Sequence, residues 1–339
     1  MAAAPGAATD PAGPVAVQVN GLTKAYGDVL AVRGIDLRIP AGEIFALLGP
    51  NGAGKTTTIE ILEGYRARDG GTVTVLGFDP GRQRQRLKRR IGIVLQSAGV
   101  DRYLTVSETL AMYASYYPRP RPVGEVVELV GLEHKRDARV IKLSGGQQRR
   151  LDVAIALVGN PDLLFLDEPT TGFDPSARRE AWEVVKNLAV LGKTVLLTTH
   201  YMDEAQYLAD RVAVIAAGRI VAEGPPATLG GRERAQPRVR YQLPVGTAPP
   251  AGLGGPPDAD GRTEFTPGDL AQALSQLSGW AISQSISLDT LEIIRPSLED
   301  VYLALTGAQA AEDPDGQRPG DRRAKRARRG EPQDGVGAE

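Results

Sequence analysis

The chain has 339 residues, enough for two domains with a proper hydrophobic core, which excludes a short peptide or a disulfide scaffold. It contains no cysteine and only two histidines, His134 and His200, so disulfides and cysteine nucleophiles are excluded and zinc nearly so. Forty Lys and Arg against 41 Asp and Glu leave a net charge of −1, so bulk electrostatics does not mark a nucleic-acid binder and none is expected as partner.

Residues 1–14 are rich in small residues and proline, with neither a basic start nor a sustained apolar run, so a disordered N-terminus is expected and a secretory signal is not. Val15 to Val19 and Ile35 to Ile39 alternate as strands do, which predicts an antiparallel β part at the opening, before a turn at Pro40-Ala41-Gly42. Glu43 to Leu48 is nearly continuous in apolar residues, the pattern of a strand covered on both faces, and it leads into a glycine-rich turn and a helix from Lys55.

Ile91 to Leu95, Leu163 to Leu166 and Val195 to Leu197 are further short apolar strands separated by helical segments, which predicts an α/β fold around a mixed, largely parallel sheet. Thr105 and Glu108 have the spacing of a capping box, opening a helix to about Tyr117, and the next segment to Val130 also reads as helix. Residues 97–150 are therefore expected to form a helical insertion. Val212 to Ile215 and Ile220 to Ala222 read as a hairpin, and a boundary follows near Gly224-Pro225-Pro226.

Residues 15–224 form the expected first domain and 225–307 a small α+β appendage. In the appendage Arg238 to Leu243 and Ala281 to Leu288 are strand-like, helices are expected from Asp269 and after Ser297, and a mobile loop is expected over Val245 to Gly261. Residues 308–339 read as a disordered tail carrying the basic cluster Arg322, Arg323, Lys325, Arg326, Arg328 and Arg329, which suits a solvated tail better than a lipid or RNA contact. No apolar run approaches the roughly 18 residues of a membrane-spanning helix, so the chain is not expected to cross a bilayer by itself.

Gly49, Pro50, Asn51, Gly52, Ala53, Gly54, Lys55 and Thr56 fit G-x-x-x-x-G-K-[ST] between the predicted strand and helix. Glycines let backbone N–H groups converge on phosphate oxygens, and the helix N-terminus adds positive potential. Lys55 supplies charge to the β and γ phosphates, Thr56 a hydroxyl to Mg²⁺, and Thr57 a further phosphate contact. Alone this pattern says nucleotide and leaves kinases, GTPases, helicases and transport ATPases open.

Asp167 and Glu168 end the Leu163 strand; the first can hold Mg²⁺ and the second can polarise an attacking water. Ser144, Gly145, Gly146 and Gln147 open another helix, where the serine is a ready N-cap and also suits a γ phosphate.

With these motifs in this order, residues 15–224 resemble the ATP-binding cassette family. The resemblance implies a P-loop NTPase fold of that type, ATP and Mg²⁺ as cofactors, and ATP hydrolysis. It also implies that Tyr26 stacks on adenine, that Gln96 contacts Mg²⁺ and the attacking-water region, that Asp174 lies in the loop linking two active sites, and that His200 contacts the γ phosphate. Phe173 stands where related sequences more usually have leucine. His134 matches no motif.

The same resemblance implies a head-to-tail dimer in which Lys55 of one copy and Ser144 of the other grip one ATP, and a separate transmembrane permease to which the subunit binds peripherally, at the cytoplasmic face of the membrane. Residues 295–307, Arg295-Pro-Ser-Leu-Glu-Asp-Val-Tyr-Leu-Ala-Leu-Thr-Gly307, resemble the end of ATPase subunits of ABC-2 exporters of the daunorubicin-resistance type, which implies export of a drug or another hydrophobic metabolite. The alternatives are a soluble cassette ATPase acting on nucleic acid or the ribosome, and a membrane-complex ATPase that does not transport.

Overall fold

In a computed structural model, residues 13–94, 99–232, 236–244 and 246–312 are described. The chain opens with two long strands, β1 (Val15–Tyr26) and β2 (Val29–Pro40), then β3 (Ile44–Leu48), helix α1 (Lys55–Leu62), β4 (Gly70–Val75), the short α2 (Arg84–Lys88) and β5 (Ile91–Val94). Three helices follow, α3 (Val106–Ala114), α4 (Val123–Leu129) and α5 (Gly145–Val158). The chain then alternates through β6 (Leu163–Asp167), α6 (Pro175–Val190), β7 (Thr194–Thr199) and α7 (Met202–Leu208), and closes the region with the hairpin β8 (Arg211–Ala216) and β9 (Arg219–Gly224).

Two sheets are built from these strands. One is three-stranded and antiparallel, in the order β2-β1-β4; the other is six-stranded, in the order β5-β6-β7-β3-β8-β9, parallel except for the β8–β9 pair. Strand periodicity divides the core between them. Phe45 and Leu47 of β3 and Leu163 and Phe165 of β6 face one apolar cluster with Val17, Val19, Ile39 and Ile61. Ile44, Ala46, Leu48, Leu164 and Leu166, on the opposite face, join Leu151, Leu157, Val185 and Leu188 from α5 and α6. A strand covered on both faces has no polar position to spare, which is why β3 and β6 are nearly continuous in apolar residues.

The predicted helical insertion is built from α3, α4 and the start of α5. The Thr105 hydroxyl accepts from the Glu108 N–H while the Glu108 carboxylate accepts from Thr105 N–H at 2.8 Å, so both halves of the capping box form. The helix stops at Ala114, short of Tyr117.

Beyond β9 the chain forms β10 (Arg238–Gln242), β11 (Arg262–Phe265), α8 (Leu270–Ser283), β12 (Glu292–Ile294) and α9 (Leu298–Glu312), with an antiparallel sheet ordered β11-β10-β12. Its own apolar cluster comprises Val239, Tyr241, Leu243, Leu253, Ala273 and Leu277. Here the strand expected over Ala281 to Leu288 is corrected. α8 continues to Ser283 because Ala273, Leu277 and Ala281 recur every four residues on one buried face, and the third strand forms later, at β12.

Within the segment expected as a mobile loop, Leu253 is buried, its carbonyl accepts from the Tyr241 hydroxyl at 2.7 Å, and the Gly261 carbonyl accepts from Leu243 N–H at 2.8 Å; Val245 lies outside the described residues. α9 carries past Gly307 to Glu312, and its Leu298 packs into the core of the first sheet system with Tyr302 and Leu305 alongside. The N-terminal residues 1–12 and the tail with the basic cluster lie outside the described residues. Among the described residues, no helix is long and apolar enough to cross a membrane.

Candidate functional site

Residues 49–54 connect the end of β3 to α1, so the glycine loop sits at the carboxyl edge of a parallel sheet, where α/β folds place ligands. Gly54 adopts φ 105, and a Cβ there would come within 2.5 Å of the Ala31 carbonyl oxygen. A side chain at Gly49 would run into the Ile215 carbonyl. Only glycine fits both positions. Lys55 is buried, and its ammonium donates to the carbonyls of Gly49 at 2.6 Å and Pro50 at 3.1 Å, which centres the charge under the loop. Burial lowers its pKa, opposed by the nearby carboxylates of Glu168 and Asp167. Thr56 is exposed at the first turn of α1 and Thr57 partly so.

Asp167 ends β6 beside the end of β7, and its carboxylate accepts from the Thr198 hydroxyl. Glu168 is held in the left-handed region at φ 45, with its N–H donating to the Thr198 carbonyl at 3.1 Å. One Glu168 oxygen accepts from the Thr171 hydroxyl at 3.1 Å, and the other lies 3.2 Å from His200 Nδ1. Lys55, Asp167, Glu168 and His200 therefore form one constellation across the ends of β3, β6 and β7. Glu63, just past α1, is buried against it; desolvation, with repulsion from Asp167 and Glu60, pushes its carboxyl up to about 8.

Ser144 caps α5. Its hydroxyl accepts from Gln147 N–H at 3.3 Å and its own N–H donates to the Gln147 side chain at 3.1 Å. Asp174 caps α6 by accepting from Ser176 and Ala177 N–H, both at 2.9 Å, with Pro175 at the first helical position. Ser144, Gly145, Gly146, Gln147, Glu168 and Asp174 line one open cleft of about 1220 Å³, and the described residues lining it include none from the glycine loop. Within one chain the cap of α5 opens on this cleft, which shares Glu168 with the Lys55 constellation.

Tyr26 ends β1, half-exposed, with the Arg66 guanidinium 5.2 Å and the Lys24 ammonium 5.7 Å from its ring centroid. His134 lies apart, in a short helical turn after α4. Gln96 lies outside the described residues.

Two side chains that brace this site have no motif in the sequence reading. Arg149, buried on α5, donates to the carbonyls of Pro169 at 3.0 Å and Asp167 at 3.1 Å, tying the Glu168 turn to the helix that Ser144 caps. Burial lifts its ion-pair partner Asp152 to about 6, against the pull of Arg149 itself. Glu204, on α7, is fully buried against Thr170 and Trp182. The available signal was a charged residue on the apolar face of a helix: Glu204 shares its face with the buried Ala205 and Leu208.

A glycine phosphate loop, two strand-end carboxylates and a second capped helix define a nucleoside-triphosphatase of the P-loop class. The sequence model of the family "ABC transporter" matches residues 32–171. The daunorubicin/doxorubicin resistance ATP-binding protein DrrA of Streptomyces peucetius is 40% identical over 315 residues, which cover 87% of this chain and 93% of that protein. The Nod factor export ATP-binding protein I of Rhizobium sp. (strain N33) is also 40% identical over 315 residues, covering 87% of this chain and 98% of that protein.

Among solved structures, cbiO1 from Clostridium perfringens, part of the ABC transporter complex cbiONQ, aligns with a TM-score of 0.59 at 30% identity, covering 63% of this chain and 90% of that one. A dimeric post-hydrolysis state of the ATP-binding cassette MJ0796, bound to ADP and Pi, aligns with a TM-score of 0.55 at 26% identity, covering 62% of this chain and 98% of that one. The chain belongs to the ABC transporter family and is an ATP-hydrolysing subunit of that family.

Proposed function

We propose that this subunit energises the export of an amphiphilic or hydrophobic compound through a separate membrane permease, bound peripherally at the cytoplasmic face of the membrane. Similarity to DrrA across nearly the whole chain supports a drug or other secondary metabolite as cargo. Equal similarity to a Nod factor export protein keeps a second cargo class in play.

In the proposed site the glycine loop and Lys55 hold the β and γ phosphates, with Thr57 assisting, and Tyr26 stacks on the adenine. Thr56 and Asp167 hold Mg²⁺, with Gln96 as a further ligand; a hydroxyl and a carboxylate are the hard oxygen donors this ion takes beside nucleotide phosphates. Mg²⁺ supplies charge neutralisation for phosphoryl transfer. Glu168 orients and polarises the attacking water, and His200, 3.2 Å from its carboxylate, holds that carboxylate and meets the γ phosphate.

One observation carries the reading of a head-to-tail dimer: Ser144 and Asp174 line a cleft that the glycine loop of the same chain does not enter. A second copy would bring its glycine loop to that cleft; the dimeric state of the cassette MJ0796 supports this reading. ATP would then bridge two positive helix ends, so its binding favours closure and loss of the γ phosphate weakens it.

Glu168→Gln is the test. ATP binding is expected to persist, hydrolysis to fall at least 100-fold, and ATP-loaded dimers to accumulate on size-exclusion chromatography. Unchanged turnover would remove Glu168 as the water-polarising group. For the transport assignment, recovery with a multi-span membrane protein and ATPase stimulation by hydrophobic compounds are expected; recovery with ribosomes or DNA instead would defeat it.

A further inference from the structure

Glu168 and His200 meet at 3.2 Å, yet they stand on different strand ends, and neither backbone alone fixes that distance. Glu168 follows β6 in a left-handed turn at φ 45; His200 follows β7 with its side chain about half exposed. The β6–β7 ladder sets the register as far as Asp167 and Thr198, and Glu168 N–H reaches the Thr198 carbonyl at 3.1 Å; beyond that point the two segments part and the ladder no longer couples them. The buried carboxylate of Glu204 lies in that place. Its Oε1 accepts from the hydroxyl of Thr170, two residues past Glu168, at 2.8 Å. Glu204 stands on α7, four residues after His200, so this bond ties the segment past Glu168 to the helix that follows His200.

Trp182 of α6 donates its indole N–H to the same Oε1 at 3.0 Å, so helix α6 is tied to the junction too. The Thr199 hydroxyl in turn accepts from Tyr201 N–H at 2.9 Å, which shapes the turn carrying His200. Among the described residues, Glu204 Oε2 has no hydrogen-bond partner, and neither has the buried Nε of Arg178; burial raises the Glu204 carboxyl, opposed in part by the Arg178 charge. A fully buried acid with one oxygen left unpaired is a costly arrangement for a fold that needs only packing there. An apolar side chain of similar size would fill the space without that cost.

We infer that Glu204 is a positioning residue for hydrolysis: by tying the Thr170 segment to the helix that follows His200, it sets the separation of Glu168 and His200. It touches neither nucleotide nor water and acts through His200. The inference rests on the proposed roles of those two residues. Displacements of about 1 Å in a reacting constellation cost on the order of 100-fold in rate, so a brace of this kind has a kinetic signature out of proportion to its stability effect.

The experiment is a mutant cycle on the full-length chain, reading steady-state ATPase and ATP affinity. Glu204→Ala is expected to lower kcat at least tenfold with KM for ATP within threefold of native. Glu204→Gln, which keeps the acceptor for Thr170 and Trp182, is expected to restore most of that loss. In a His200→Ala background the further cost of Glu204→Ala should fall below threefold, because the residue through which it acts is gone.

Equal losses in the two backgrounds, a parallel rise in KM, or native turnover in Glu204→Ala would each overturn the inference. If Glu204→Ala does not fold, Thr170→Val deletes only the hydroxyl donor and should show a smaller loss that also disappears in the His200→Ala background; the same loss in both backgrounds would overturn it. Native turnover in His200→Ala alone would instead overturn the role given to His200, a separate result.

Discussion

At the scale of single residues, Arg149 shows how a charge placed inside the fold can serve the site without entering it. Its planar guanidinium reaches two carbonyls of the turn around Glu168, at 3.0 and 3.1 Å, from a helix whose other end is capped by Ser144. Lysine offers a compact ammonium in place of that planar fork, without the fixed, spaced Nε and Nη donors that meet the two carbonyls together. Arg149→Lys is therefore expected to leave ATP affinity unchanged, lower kcat about tenfold, and reduce stability by about 1 to 3 kcal/mol as a buried carbonyl loses its donor. ATPase assay and urea denaturation of the same preparation check both halves; native kcat in a destabilised protein would mean that the turn holds its shape without the fork.

At the scale of elements, the segments that lead into and out of β4 are joined by the Arg68–Asp79 pair, with two bonds at 3.0 and 2.8 Å. The Arg68 guanidinium, reinforced by the N–H of Gly81, holds the Asp79 carboxyl at about 2 against desolvation. Because the folded value lies below the unfolded one, this contribution is present above pH 4 and is lost as pH falls towards 2. Asp79→Asn should cost about 1 to 2 kcal/mol at pH 7, allowing for partial exposure, and the gap between native and variant should narrow as urea denaturation is repeated below pH 4. A gap independent of pH would assign the loss to packing.

What could be read from the sequence divides along the same physical lines. The glycine loop, the capped helices and the β3 and β6 strands were legible because one local requirement, a close backbone approach, an N-cap or burial on both faces, dictates residue type over a few positions. The run from Ala281 to Leu288 misled because a helix C-terminus followed by alternating Ile and Ser imitates a strand. β11 is only four residues long and is specified by pairing with β10 rather than by its own pattern. Arg149 and Glu204 show in the sequence at most as charges on helices: Pro169, Asp167 and Thr170, which they hold, lie 18 to 34 residues away in the chain, so only the folded topology reveals those bonds.

At the scale of the whole molecule, the proposed head-to-tail arrangement makes each ATP site a composite of Lys55 from one copy and Ser144 from the other. That geometry has an arithmetic consequence. In mixed dimers of Lys55→Ala and Ser144→Arg chains, both lesions fall in one site and leave the other intact, whereas neither variant alone can form an intact site. Equal mixing yields heterodimers as about half of all dimers, each with one good site of two, so recovery approaches about a quarter of native turnover if sites act independently. A chain carrying both substitutions, mixed with native chain, forms heterodimers with no intact site, and only native homodimers turn over. ATPase assays on the mixtures, at concentrations where dimers form, distinguish the cases. Recovery in the first mixture requires a partner's Ser144 at each Lys55. No recovery, with each variant folded and dimeric, would mean that the cleft at Ser144 does not receive the partner's glycine loop, and that both groups serve ATP from one chain or not at all.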